Sequence, residues 1–376
     1  MPFPRLDTDL RVDTAAIATE LRISGDSHMA EPPDLWETRL PQQYRDRALH
    51  FPNVKFYESF QHIRAGGWDP HERLRDQAYD GISAEVLYPT LGYASYAVGD
   101  PELEEACVRV YNDWLAEFCS VAPDRFWGLG LISLWNVDNA IKELERSKKL
   151  GMRGAAIGLC PAEDLPYSDE HYDRFWSACE DAGMSVNLHI NSGPGAKKSE
   201  QRLQSPNLPR GVHKHKLDCM LAVADMIGGG VFERHPELKV VVAEAGVGWI
   251  PFFAQEFDYY QNRFAGKEAA LSNSPSDYIY RNVYGAFISD EIGGILLSKY
   301  GQDTFMWSND YPHPACLWPI SERAIAHDLG ELTPEARRKV TSGTASNLYN
   351  NGELPPAADP PGEVQDMTTW EAHWHG

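Results

Sequence analysis

The chain has 376 residues, 43% of them hydrophobic, enough for one large core or two domains, and α/β barrels reach this length as a single domain. Its 34 basic and 55 acidic residues give a formal charge of −21, which repels nucleic acid and anionic membranes, so neither is expected as a partner. No apolar run approaches the roughly 20 residues of a membrane helix, and the opening "MPFPRLDTDLRVDTAAIATE" lacks the apolar core of a signal peptide, so a cytoplasmic protein is expected. Cys107, Cys119, Cys160, Cys179, Cys219 and Cys316 form no CxxC pair and read as reduced thiols used as small core residues.

The first predicted strand, 21–26, runs into "ISGDSHMAEPPDLW" at 23–36. Residues i and i+2 of a strand share a face, so Asp26 and His28 aim at one point. Two such donors at a strand end look like half of a metal site; the alternative is a surface turn with an incidental Asp and His. Residues 37–80, rich in aromatic and charged side chains, are too long for a plain loop and read as an insertion over the mouth of a barrel. Further strands are predicted at 84–89, 125–133, 153–158, 185–190, 239–244, 283–288 and 305–309. Most are continuous apolar runs, as in parallel strands covered by helices.

Helical segments lie between them. "NVDNAIKELERSKKLG" runs from a capping Asn136 to Gly151, "SDEHYDRFWSACEDAG" from Ser168 to Gly183, and "TPEARRKV" has Thr333 as cap with Pro334 at its first helical position. Eight strands alternating with helices predict a (β/α)₈ barrel over 1–350. A doubly wound sheet is the alternative, but no GxGxxG follows the first strand. The Pro-rich, then Trp-rich 351–376 reads as a tail that wraps the surface or a neighbouring subunit, and Trp370 and Trp374 favour a homo- or hetero-oligomer over a solvated tail.

Barrel enzymes keep their chemistry at the C-terminal ends of the strands. There, strand one gives Asp26 and His28, strand five His189, strand six Glu244, and strand eight Asp310 with His313 close behind. Ionisable groups are costly inside a barrel unless paired or metal-bound, so four such endings facing one mouth point to a metal. His313 reads equally well as a cap for the next helix. His213 and His215 in "GVHKHK" read as a solvated loop, Trp249 as a packing residue, and "GPG" at 193–195 as a tight turn.

The markers "DSHMAEPPDLW", "VNLHIN", "HPELKVVVAEAGVGWIPFF", "SNDYPHP" and "ASNLYN" resemble the amidohydrolase superfamily, in its amidohydrolase family 2 branch, which includes aminocarboxymuconate semialdehyde decarboxylase. The resemblance spans about Ile23 to Tyr349. It implies a distorted barrel, a divalent metal such as Zn, Mn or Fe, and ligand roles for Asp26, His28, His189 and Asp310. Many relatives have His-x-His at strand one and His at the end of strand six; here Asp26 and Glu244 stand there, and both swaps bring anionic oxygen.

Asp26, Glu244 and Asp310 around one divalent ion leave a net charge of −1, which would repel a carboxylate substrate. A proton on one carboxyl, compensation by a basic residue (Arg64 is the candidate, a surface arginine the alternative), or a second metal ion held with His313 would relieve this. The resemblance therefore implies metal-dependent decarboxylation or hydrolysis of a small organic molecule, with Asp310, Glu244 and His313 as catalytic candidates. The alternatives are an oxygen-dependent hydroxylase with a dinuclear centre, of the aminoisobutyrate hydroxylase kind, and a non-catalytic partner subunit.

Overall fold

Short, mostly apolar runs form the strands of this chain, and nearly all their residues are buried. A computed structural model describes residues 15–49, 63–159, 161, 164–190, 192, 208–264 and 271–362. Its strands are β1 Ile23–His28, β2 Ala84–Tyr88, β3 Phe126–Leu131, β4 Gly154–Ile157, β5 Ser185–His189, β6 Val240–Ala243, β7 Val283–Phe287 and β8 Phe305–Trp307. They lie in one parallel sheet in the order β1 to β8. The ring closes where the chain leaving β8 meets β1: Asp310 N donates to Asp26 O at 3.0 Å, and His28 N to Tyr311 O at 2.7 Å. This is the predicted (β/α)₈ barrel.

The helix ends follow local chemistry. Asn136 caps Val137–Lys149 by accepting from Asn139 N, and Thr333 caps Pro334–Arg338 by accepting from Ala336 N. Gly183 takes a left-handed φ of 61° after Asp173–Ala182, as a helix stop requires. That helix is entered through a short 3₁₀ turn, Glu170–Tyr172, capped by Asp169 rather than by Ser168. His213 and His215 lie not in a loop but on the helix Leu208–Gly228, with His215 buried.

Within 37–80, the helix Pro70–Asp80 leads directly into β2 and is the first crossover helix of the barrel. It binds the mouth through Arg73, which is fully buried. Arg73 donates to Glu85 Oε2 at 2.6 Å, His28 O at 2.8 Å, Gly66 O at 3.3 Å and Tyr311 O at 3.4 Å. One guanidinium thus joins β2, the end of β1, the segment before its own helix and the turn after β8. Residues 50–62, Cys160, the 193–195 turn, and Trp370 and Trp374 lie outside the described residues. The other five cysteines are in no disulfide and are buried, as core residues should be.

Candidate metal centre at the barrel mouth

Every candidate donor sits at the end of a strand or just beyond it. His28 and His189 are the last residues of β1 and β5. Glu244 follows β6 directly, and Asp310 follows β8 by three residues. Both carboxylates have a left-handed backbone, with φ of 59° and 55°. A side chain rarely adopts that region, at a cost of about 1–3 kcal/mol, and such residues cluster at functional sites. The turn swings each carboxylate off its strand line and into the mouth.

The imidazoles are oriented by carbonyl groups. His28 Nδ1 lies 3.0 Å from Pro89 O, and His189 Nδ1 lies 2.7 Å from Ile190 O. A carbonyl only accepts, so each Nδ1 carries the proton and each Nε2 is bare. Burial, aided by the neighbouring His313, pushes His28 well below the usual imidazole range, and burial pushes His189 down to about 3. Both rings are therefore neutral at pH 7, yet their two Nε2 lone pairs face each other at 2.9 Å.

The carboxylates converge on the same point. Asp26 Oδ1 lies 3.5 Å from His28 Nε2 and 3.7 Å from His189 Nε2. Asp310 Oδ1 lies 3.5 Å from His28 Nε2, and Glu244 Oε2 lies 3.4 Å from His189 Nε2. Both oxygens of Asp26 and both of Asp310 are buried without a hydrogen-bond donor. Burial, then the charges of Asp310 and Glu244, raise the Asp26 carboxyl well above the usual carboxylate range. Burial and then Asp310 raise Glu244 in the same direction, with Lys216 opposing.

Facing lone pairs and donorless carboxylates are unfavourable unless a cation lies between them. Donor bonds of about 2.0–2.3 Å to one ion put neighbouring donors about 3–3.5 Å apart, close to the spacings here. The residues present therefore fit a divalent ion. A set of imidazole and carboxylate with no thiolate suits manganese, iron or zinc.

His313 stands behind Asp310. Its ring stacks on that of His28 with centroids 3.7 Å apart, its Nδ1 lies 3.1 Å from Asp310 Oδ1, and its Nε2 lies 2.9 Å from Thr90 Oγ1. Asp26, His28 and His189 form one metal-capable group, and His28, Asp310 and His313 form another. They share His28, whose single bare nitrogen makes them overlapping descriptions of one position. Arg64 is turned away: Asp76 binds its guanidinium in a bidentate pair at 2.7 and 2.9 Å, and it stacks on Trp318 at 4.3 Å.

Sequence reading did not single out three neighbours. Tyr93 stacks on His189 at 5.6 Å, and Thr90 holds His313. Glu31 is buried, and its carboxylate accepts from the backbone N–H of Thr90, Leu91 and Gly92 at 2.9–3.1 Å, pinning the turn that carries both. Thr90 was within reach, two residues after β2; Glu31 has no signal beyond its place in "EPPDLW".

The amidohydrolase family model Amidohydro_2 matches residues 49–350. The chain belongs to the amidohydrolase family. This amidohydrolase is 28% identical over 304 residues to the 2-amino-3-carboxymuconate-6-semialdehyde decarboxylase of Dictyostelium discoideum, covering 78% of each chain. An amidohydrolase from Mycobacterium avium subsp. paratuberculosis shares its fold with a TM-score of 0.72 at 20% identity, covering 88% of this chain and 98% of that one. A dihydroxybenzoic acid decarboxylase from Polaromonas sp. JS666, solved with bound manganese and the inhibitor 2-nitroresorcinol, matches with a TM-score of 0.66 at 20% identity, covering 89% and 98%.

Proposed function

We propose that this amidohydrolase removes CO₂ from a small, aromatic-type carboxylate without an oxidant. In this reading Asp26, His28, His189 and Asp310 hold one divalent ion, and Glu244 is the acid beside it. The facing bare nitrogens of His28 and His189 among donorless carboxylates carry the metal assignment. The decarboxylases among its relatives support the reaction class. When bound, the ion would supply positive charge to hold the substrate carboxylate and stabilise developing negative charge.

The chain's own groups do the rest. Asp26 and Asp310 are sealed, while Glu244 keeps 17% of its side chain exposed and so faces the opening. A proton on Glu244 leaves two carboxylates against one divalent charge, a neutral centre that admits an anion. Bond cleavage leaves the electron pair on the substrate carbon and releases CO₂; that carbon takes the Glu244 proton, and solvent returns one to the carboxylate. Tyr93 and His313 close the sides against water. Arg64, already paired with Asp76, has a packing role in this reading.

The test is elemental analysis of the purified protein, followed by anaerobic incubation with carboxyl-labelled dihydroxybenzoates and aminocarboxymuconate semialdehyde. About one divalent ion per chain and labelled CO₂ without dioxygen are expected. A metal-free active protein, or turnover that stops without dioxygen, would overturn the proposal, the latter in favour of a hydroxylase.

Self-association and a cytoplasmic location belong to the same proposal. Among the described residues no helix is long and apolar enough to cross a membrane, and Phe252, Tyr259, Tyr260 and Phe264 leave half or more of their surface exposed on one helix. Sedimentation at micromolar concentration should show more than a 42.2 kDa species.

A further inference from the structure

A second cavity, of about 340 Å³, opens beside the ends of β3 and β4, and none of its lining residues belongs to the metal centre. Its volume lies within the range of small-molecule sites. Tyr96, Tyr167, Tyr172 and Trp135 form its aromatic walls, and Glu104 and Asp164 its acidic groups.

The polar ends of those walls are already hydrogen-bonded. Tyr96 OH donates to Ile132 O or Ala156 O at 3.1 and 2.9 Å, Tyr167 OH to Gly158 O, and Tyr172 OH to Leu165 O at 3.4 Å. Trp135 Nε1 donates to Glu104 Oε2 at 2.7 Å. The hydroxyls of these three tyrosines and the indole N–H of Trp135 therefore each have an acceptor within the protein. Glu104 is 2% exposed, and among the described residues no arginine, lysine or histidine forms an ion pair with it. Burial pushes its carboxyl up to about 7, with hydrogen bonds from Ser133 and Trp135 opposing, and pH 8 lies above that value.

An aromatic-walled cavity with a buried acid favours a positive guest and disfavours an anion, because ring faces attract cations and, among the described residues, no basic group lines the walls. The chain's net charge of −21 draws cations to its surface. We infer that this cavity is a binding site for a small organic cation of the alkylammonium class, seated on the rings of Tyr96, Tyr167, Tyr172 and Trp135 against Glu104. None of its lining residues is a candidate metal ligand, although Tyr96 touches the Tyr93 ring beside His189, and its occupancy does not depend on the reaction proposed above.

Calorimetric titration of the full chain at pH 8 tests this, with choline as probe and its neutral carbon isostere, dimethylbutanol, as control. Choline should bind saturably, and the isostere at least about tenfold more weakly. Glu104→Gln, which keeps the acceptor for Trp135 Nε1, should weaken choline binding at least about tenfold. Trp135 is half exposed, so Trp135→Leu should leave the fold intact and weaken choline binding several-fold. Manganese binding, read in the same samples, should be unchanged in both variants. Equal affinity for choline and its isostere, undiminished binding in Glu104→Gln, or no saturable choline binding would each overturn the proposal.

Discussion

His28 Nε2 and His189 Nε2 stand 2.9 Å apart with both Nδ1 protons donated to carbonyl oxygens, so two lone pairs from opposite sides of the barrel meet without a proton between them. A divalent ion removes that conflict, and binding to the folded state alone stabilises it. Adding Mn²⁺ to chelator-stripped protein at a hundred times its dissociation constant should raise stability by about 2.7 kcal/mol, measured by denaturant titration. His28→Ala and His189→Ala should each abolish the gain. A gain of the same size in either variant would place the ion elsewhere.

Glu244→Gln separates acid from ligand. The amide keeps the shape, and a carboxyl that only delivers a proton leaves metal content unchanged while kcat falls by about 10²–10⁴. Elemental analysis and single-turnover kinetics give both readings. A fall in metal content would instead make Glu244 a ligand.

Arg73→Ala should be among the most damaging substitutions away from the centre. It leaves the Glu85 carboxylate buried with only Gln77 Nε2 at 2.7 Å among its former side-chain partners from that helix, and it frees three carbonyls that fix the mouth. Removing one partner of a buried ion pair costs about 3–5 kcal/mol. Urea denaturation should show this loss, and Arg73→Lys should recover part of it by restoring the charge without the planar fork.

Asp80 gives a pH dependence. Burial pushes its carboxyl up to about 7, against donors from Ser321. Below pH 4 it is protonated in both folded and unfolded chains and has no effect. Between pH 4 and 7 the unfolded chain ionises while the folded one holds its proton, so stability falls as pH rises, by up to about 4 kcal/mol. Denaturation midpoints at pH 4, 5.5 and 7 should show wild type losing stability relative to Asp80→Asn. Parallel curves would exclude the effect.

Most of the eight strands were legible because they are continuous apolar runs, and that pattern survives without knowledge of its neighbours. Predicted and observed ends differ by two residues at β1, β3 and β8: β1 extends through His28, where the pattern passes into polar residues, while β3 and β8 stop two residues early. The helix Pro70–Asp80 was hidden in the reading of 37–80 as an insertion, because five of its eleven residues are charged and its buried face includes Arg73, Asp76 and Asp80. Polar residues buried by mutual pairing leave no hydrophobic period to read.

Strand-end chemistry was equally local: a carboxylate or imidazole at the end of a run is visible residue by residue, and the barrel rule places all such ends at one mouth. The sequence by itself therefore determined the barrel, its polarity and which ionisable residues stand at the ends of its strands. Only the tertiary structure decided which atoms meet. The bare nitrogens of His28 and His189, the pinned turn of Thr90, and the removal of Arg64 by Asp76 depend on contacts between residues 12 to 223 positions apart. Hydrogen-bond direction across such separations is set by how the closed ring packs, and no local pattern in the chain encodes it.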